Sequence, residues 1–312
     1  MSDTIALHMR DISKAFPGVQ ALDRVSLVVH EGEVAAVLGE NGAGKSTLMN
    51  VLAGVFPHYD GQIELRGEPV TIHSPKQAAA LGVGMIHQEL NLVPDLSVAD
   101  NIFLGRESRN RRGAIDRKSM HRRARDLLAR VGLPLDPRRL VRQCRVAEQQ
   151  LIEVAKALSL DVRVLVMDEP TSALADAEVQ RLFTVIRDLT RHGVAVVYIS
   201  HRLEELEQIA DSVTVLRDGR YIGRRNMAAT TRDELISMMV GRPLRELFPR
   251  TDSGATRQVR IVVQELDLVG DRRAGRSALH GVHFTAHDGE IVGIAGLMGS
   301  GRSEVLQSIY GG

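Results

Sequence analysis

Gly39-Glu40-Asn41-Gly42-Ala43-Gly44-Lys45-Ser46 is a G-x-x-x-x-G-K-[ST] loop between the apolar run Val34–Leu38 and the helical pattern Ser46–Ala53. A strand before and a helix after is the context a phosphate-cradling loop requires. The glycines let backbone N–H groups turn inward around a polyphosphate, and the helix N-terminus that follows adds positive potential. Lys45 is expected to reach the β- and γ-phosphates, and the Ser46 hydroxyl to ligate Mg²⁺. The segment from Gly39 through Thr47 is therefore the expected nucleotide-binding segment.

Working outward, Val164-Leu165-Val166-Met167 is an apolar strand that ends in two carboxylates, Asp168 and Glu169. Open α/β sheets bind ligands at the carboxyl edge of their strands. Asp168 is expected to hold Mg²⁺ and Glu169 to polarise an attacking water as general base. Two solvated acids at a strand end are the plainer alternative, which the company of Lys45 makes the weaker one.

Further apolar runs read as strands at Leu81–Gln88, Val162–Met167 and Val194–Ser200, with helices at Val146–Leu160 and Ala177–His192. Continuous apolar strands separated by helices imply a mostly parallel sheet covered on both faces. The early pieces Ile5–Met9, Val25–Val29 and Ile63–Leu65 imply an additional antiparallel layer. The expected class is α/β, with a helical subdomain at about 90–160.

The chain also repeats itself. At an offset of 257 positions Glu31-Gly32-Glu33-Val34 falls on Asp288-Gly289-Glu290-Ile291, and Gly39, Gly42, Gly44 and Ser46 fall on Gly296, Gly299, Gly301 and Ser303. Upstream, Gly18, Ala21, Leu22 and Val25 match Gly275, Ala278, Leu279 and Val282. A period this long is a duplicated domain rather than a solenoid. The expected layout is a first domain at 1–250 and, at 251–312, a linker with the start of a second, incomplete copy. The junction lies near 245–258, where proline, glycine and small polar residues mix.

Composition narrows the classes. Among 312 residues, Lys plus Arg is 40 and Asp plus Glu 39, for a formal charge of +1. That balance argues against a chain built as a polyanion binder. One cysteine leaves no internal disulfide, and a reducing compartment fits. Met1–Arg10 carries an acid at Asp3 and no apolar core, unlike a secretory signal. The longest apolar runs fall far short of the ~20 residues of a membrane helix, so a membrane role is expected to be peripheral. Charge is uneven: Arg106–Arg145 holds 14 Lys/Arg against 4 Asp/Glu. A solvated helical face explains this run most simply; a surface near acidic headgroups or an acidic partner loop is the sharper reading. No aromatic residue interleaves it for base stacking.

The loop, Gln88 in Ile86-His87-Gln88-Glu89, the Val146–Gln150 stretch, Asp168–Leu174 and Ile199-Ser200-His201-Arg202-Leu203-Glu204-Glu205 occur in the order found in ABC transporter ATPases, and the chain resembles that family. The tandem layout, the opening Phe16–Leu22 and the segment Ile199–Glu205 are similar to the bacterial importer ATPases for monosaccharides such as ribose, galactose and xylose. The resemblance implies a P-loop ATPase that binds ATP with Mg²⁺ and powers sugar import. Phe16 would stack on adenine. Gln88 would touch Mg²⁺ or the lytic water and relay nucleotide state. His201 would reach the γ-phosphate, and Ser172–Leu174 would face an opposite cassette. Implied partners are transmembrane permease subunits, through them an extracytoplasmic sugar-binding protein, and a second cassette in the same full-length chain or another copy. The implied location is peripheral, on the cytoplasmic face of the inner membrane, and no nucleic acid is expected. A soluble ABC-type ATPase acting on nucleic acid or ribosomes is the runner-up. A truncated product that binds ATP without hydrolysing it is the third reading.

Four positions depart from the family. Its signature, L-S-x-G/A-E/Q in this subfamily, reads Cys144-Arg145-Val146-Ala147-Glu148, which puts a bulky, permanently charged arginine where serine belongs. Cys144 reads as a small packing residue. Ala175 stands where many relatives carry aspartate, and Arg302 replaces the lysine of the second loop. Because ABC signatures cap phosphates on the opposite cassette, the site at Lys45 is expected to need a signature from beyond residue 312.

Overall fold

In a computed structural model of the chain, the structure describes residues 4–87, 90–110, 113–172, 174–241, 258–270, 277–296 and 299–311. The chain divides into two compact units, Met1–Leu244 and Arg245–Gly312. In chain order the first unit contains β1 (Ile5–Phe16), β2 (Val19–His30), β3 (Val34–Leu38), α1 (Lys45–Leu52), β4 (Asp60–Leu65), β5 (Glu68–Val70), α2 (Pro75–Ala80), β6 (Val83–Ile86), α3 (Val98–Ile102), α4 (Arg117–Arg130) and α5 (Val146–Leu158). It continues with β7 (Val164–Asp168), α6 (Asp176–Arg191), β8 (Ala195–Ile199), α7 (Leu203–Ile209), β9 (Ser212–Arg217), β10 (Arg220–Asn226) and α8 (Arg232–Val240).

The strands follow the order β5-β4-β1-β2-β10-β9-β3-β8-β7-β6. From β9 to β6 the neighbours are parallel. β3, β7 and β8 are buried along their whole length. Alternate residues serve opposite faces: Ala36, Val196 and Tyr198 join the core on one side, Ala35, Val37 and Val197 the core on the other. This explains the uninterrupted apolar runs, since a strand covered on both faces has no solvent-facing position.

The expected antiparallel layer is β1, β2, β4 and β5. It is continuous with the parallel strands through one ladder pair, Arg220↔Asp23 between β10 and β2. The join is reinforced by the Asp23 N–H donating to the Gly219 carbonyl at 2.8 Å and by Arg220 Nε donating to Asp23 Oδ2 at 3.0 Å.

Several expected strands change length: β2 extends from the expected Val25–Val29 to Val19–His30, and β4 from Ile63–Leu65 to Asp60–Leu65. β1 runs on to Phe16 instead of stopping at Met9, because bulges carry it past Asp11, whose φ of 50° is left-handed. The run at Leu81–Gln88 contributes only Val83–Ile86: Leu81 caps α2, and Gln88 lies outside the described residues.

In the basic run, α4 buries Met120, Ala124 and Leu128, one face at a spacing of four. Arg117, Lys118, Arg122, Arg123, Arg125 and Arg130 are exposed. Six of the run's basic residues thus lie exposed on this helix. That apolar face shares a core with Phe103, Leu151, Ile152 and Ala155. Among the described residues no helix is long and apolar enough to cross a membrane.

The second unit contains the antiparallel pair β11 (Val259–Leu268) and β12 (Leu279–His287), followed by α9 (Arg302–Tyr310).

Candidate functional site

Strand register brings the chemistry together. Val37 of β3 pairs with Ile199 of β8, and Ile199 pairs with Asp168 of β7. Three loops therefore leave one carboxyl edge side by side: the glycine-rich loop, the segment after Asp168 and the segment after Ile199.

Gly44 is the N-cap of α1 at φ 95°, a left-handed conformation that costs glycine nothing. A β-carbon there would stand 2.7 Å from Leu22 Cδ2 and 2.8 Å from the Ala21 carbonyl oxygen, so the position needs glycine twice over. Lys45 is buried, and its Nζ donates to the carbonyl oxygens of Gly39 at 2.7 Å and Glu40 at 3.0 Å. Burial holds its ammonium below the usual lysine range, against the opposing pull of Glu169 and Asp168. The ammonium is thus held across the open mouth of the loop.

Opposite it, Ser46 Oγ donates to Asp168 Oδ2 at 3.4 Å. Burial pushes the Asp168 carboxyl above its ordinary value and the Glu169 charge adds to this; the Ser46 hydrogen bond, Lys45 and His87 work the other way. A divalent cation would relieve that strain. Two hard oxygen donors suit magnesium, which ordinarily takes few protein ligands and fills its shell with phosphate and water. Among the described residues no group of three or more His, Cys, Asp or Glu could hold a metal by itself.

Glu169 follows with φ 47°, and its N–H donates to the Ile199 carbonyl at 3.0 Å. Its Oε1 lies 2.9 Å from His201 Nδ1. A carboxylate and an imidazole in hydrogen-bond contact beside a buried ammonium can orient a water and stabilise charge on a transferring phosphoryl group.

The cleft these groups share has a volume of about 1190 Å³. Gly39, Glu40, Asn41, Gly42, Gly44, Lys45, Ser46, Thr47, Asp168, Glu169 and His201 line it. Ala43 is buried behind the loop, not in its lining. Phe16 is also absent from the lining: its ring meets Phe56 edge-to-face at 5.2 Å, with Lys14 Nζ 5.2 Å from its centroid, while its ladder partner Val19 does line the cleft. Gln88 lies outside the described residues.

Besides Val19 and Ala21, the lining includes Gln20, Asp218, Gly219 and Met239, which the sequence reading did not name as site residues. The Asp218-Gly219 dipeptide between two β-runs carried a usable hairpin signal. Gln20 falls within the Phe16–Leu22 opening; Met239 had no signal, because only the sheet order brings α8 near the loop.

The altered signature sits at a helix start. Arg145 is the N-cap of α5 and accepts nothing with its side chain; only its own N–H is satisfied, by Glu148 Oε2 at 2.7 Å. Serine at an N-cap would accept from the first turn. Cys144 is buried in the helical core, and burial pushes its thiol up. Ala175 is likewise an N-cap without a side-chain acceptor, at the start of α6. Ser172 is exposed; Ala173 lies outside the described residues.

The second unit repeats the local device. Gly301 caps α9 at φ 90°, and a β-carbon there would meet Leu279 Cδ2 at 2.5 Å. Leu279 is the repeat equivalent of Leu22, so the two loops share one close approach. Arg302, at the lysine position, is exposed.

A sheet of this order with this loop at its carboxyl edge defines a nucleotide-binding protein of the P-loop class. Residues 22–172 match the family described as ABC transporter. That segment is an ABC transporter domain. It is 52% identical over 306 residues to a protein of Burkholderia lata named provisionally as a ribose/galactose/methyl galactoside import ATP-binding protein, which covers 98% of this chain and 58% of the relative. It is 47% identical over 311 residues to the ribose import ATP-binding protein of Rhodopirellula baltica, covering 100% of this chain and 60% of the relative. The chain thus spans less than two thirds of the length of these curated relatives. Among solved structures, the ADP conformation of MJ1267, an ATP-binding cassette of an ABC transporter, has a TM-score of 0.64 at 24% identity over 76% of this chain and 95% of that one. A cbiO1 structure from Clostridium perfringens gives 0.64 at 22%, over 78% and 98%. These two likenesses concern the fold.

Proposed function

We propose that the chain is the ATP-binding and ATP-hydrolysing part of a bacterial importer for a monosaccharide, peripheral on the cytoplasmic face of the inner membrane. The observation that carries this reading is the convergence of Lys45, Ser46, Asp168, Glu169 and His201 on one cleft beside the glycine-rich loop. The names of the relatives support the sugar and the import direction.

Mg-ATP is the substrate. Loop N–H groups and Lys45 bind its phosphates, Lys45 exchanging the Gly39 and Glu40 carbonyls for phosphate oxygens. Ser46 and Asp168 would hold the ion, which would supply charge neutralisation on the phosphate oxygens. Glu169 takes the proton of a water aligned with the γ-phosphate, and His201 holds that carboxylate and contacts the phosphate. Lys45 neutralises charge developing in the transfer. The adenine end lies toward Val19 and Gln20, with Phe16 at the rim. A second cassette, from the same full-length chain or another copy, supplies the signature over Lys45. Closure of the pair would pull on permease helices through the Gln88 region. The permease and its extracytoplasmic binding protein select the sugar.

A binding-only reading is favoured by two residues, Arg145 at the signature and Arg302 in the second loop. Co-expression with a monosaccharide permease separates the two. A coupled importer gives hydrolysis stimulated by sugar-loaded binding protein and abolished by Glu169→Gln. Binding-only gives nucleotide affinity with no such stimulation.

A further inference from the structure

Behind the reacting edge lies a second carboxylate that the mechanism above does not use. Glu205, on α7, is 3% exposed. Thr171 Oγ1 stands 2.8 Å from each of its oxygens. Its Oε2 also accepts from the Tyr198 hydroxyl at 3.0 Å and from Ser200 Oγ at 3.1 Å. Arg202 Nη1 is 2.7 Å from Oε1. A carboxylate this deeply buried persists only when paired and hydrogen-bonded, and three hydroxyls and a guanidinium satisfy it here.

The origin of the donors matters more than their number. Thr171 lies two residues beyond Glu169, in the loop that follows β7. Ser200 immediately precedes His201, in the loop that follows β8. Both are buried. Glu205 therefore ties the two loops from beneath, while Glu169 and His201 meet on the cleft side at 2.9 Å. Ser200 Oγ also accepts from the Arg202 N–H at 3.0 Å, which anchors the start of α7 to the same tie. Tyr198 differs: it belongs to β8 itself and reaches Glu205 without holding either loop.

We propose that Glu205 is a positioning residue, which clamps the Thr171 and Ser200 loops together and so fixes the Glu169 carboxylate against the His201 imidazole. The proposal rests on the reading of this cleft as a hydrolytic site and adds to it the group that holds the water-orienting pair in register. Glu205 touches neither nucleotide nor water. Its loss acts through geometry, where a small displacement of an aligned group costs about tenfold or more in rate.

The test uses the full chain with ¹⁵N-labelled histidine, the His201 signals being assigned by His201→Gln. In the wild type a hydrogen bond to Glu169 keeps the proton on Nδ1, and the two imidazole nitrogens report one tautomer. Thr171→Val cuts one arm of the clamp, Thr171→Ser restores its hydroxyl, Glu205→Gln weakens both arms, and Tyr198→Phe removes a hydrogen bond that ties neither loop. The clamp predicts that Thr171→Val and Glu205→Gln move the His201 signals toward the tautomer average of a free imidazole. Thr171→Ser and Tyr198→Phe leave them in place. Where hydrolysis is measured, kcat falls about tenfold or more in the first pair, with the Mg-ATP Kd within about twofold of wild type. Unchanged His201 signals in Thr171→Val, or an equal displacement in Tyr198→Phe, would overturn the proposal. If Glu205→Gln fails to fold, the Thr171 pair and Tyr198→Phe decide it. Failure of the wild type to bind Mg-ATP would remove the hydrolytic reading instead, and the imidazole signals would still decide the clamp.

Discussion

His201 Nδ1 stands 2.9 Å from Glu169 Oε1 across 32 residues of sequence. The pair exists because β7 and β8 are parallel neighbours that end together, Asp168 opposite Ile199. His201→Ala frees the carboxylate without touching the hydrogen bonds of Lys45. Hydrolysis should fall by about 10²-fold or more while Mg-ATP affinity holds, measured by steady-state turnover beside equilibrium binding.

Asp168 carries a pH signature. Its folded value is raised, so folding penalises its ionised form. Stability from this group is present at low pH and is lost as pH rises through the raised value. Asp168→Asn should therefore increase the Tm of the ligand-free chain at pH 7, and the gain should shrink as pH falls through the raised value of Asp168 toward the ordinary carboxylate value of ~4. Added Mg-ATP should stabilise the variant less than the wild type. Thermal melts across pH, with and without Mg-ATP, check both statements.

Arg145→Ser should stabilise the chain. The N-cap of α5 has no side-chain acceptor, and a serine there supplies one. The expected gain is about 1 kcal/mol, read from urea midpoints at unchanged slope. If the second cassette reads this signature, the same substitution should also strengthen nucleotide-dependent pairing.

Much of this fold was legible because its cues are contiguous. Gly39–Ser46 names the loop, its flanks name strand and helix, and β3, β7 and β8 read as strands because burial on both faces removes every polar interruption. The ends of elements were harder. Asp11 looks like a terminator for β1, yet a left-handed bulge carries the strand on to Phe16. Long-range convergence was not legible at all. Met239 reaches the cleft through strand order, and Glu205 meets Thr171 across 34 residues with no local pattern to announce it. The signature was read as a departure in chemistry; that Arg145 also leaves a helix uncapped required the backbone.

Cys144 should behave as a core residue. It is buried and burial raises its thiol, so thiolate is scarce and access is closed. A thiol reagent at pH 7 should label the native chain slowly and the urea-unfolded chain at the rate of a free cysteine. Mass spectrometry of timed aliquots reads this.

The central claim is that Lys45, Asp168, Glu169 and His201 form a hydrolytic site completed by a signature from another cassette. The most direct measurement is steady-state ATP turnover against protein concentration, with Glu169→Gln as the blank and Mg-ATP binding followed in parallel. The account predicts that Mg-ATP binds at every concentration while specific activity is at the blank when dilute and departs from it only as cassettes pair, through higher concentration or an added partner cassette. Full, concentration-independent turnover by dilute chain would contradict it, and so would turnover that survives Glu169→Gln.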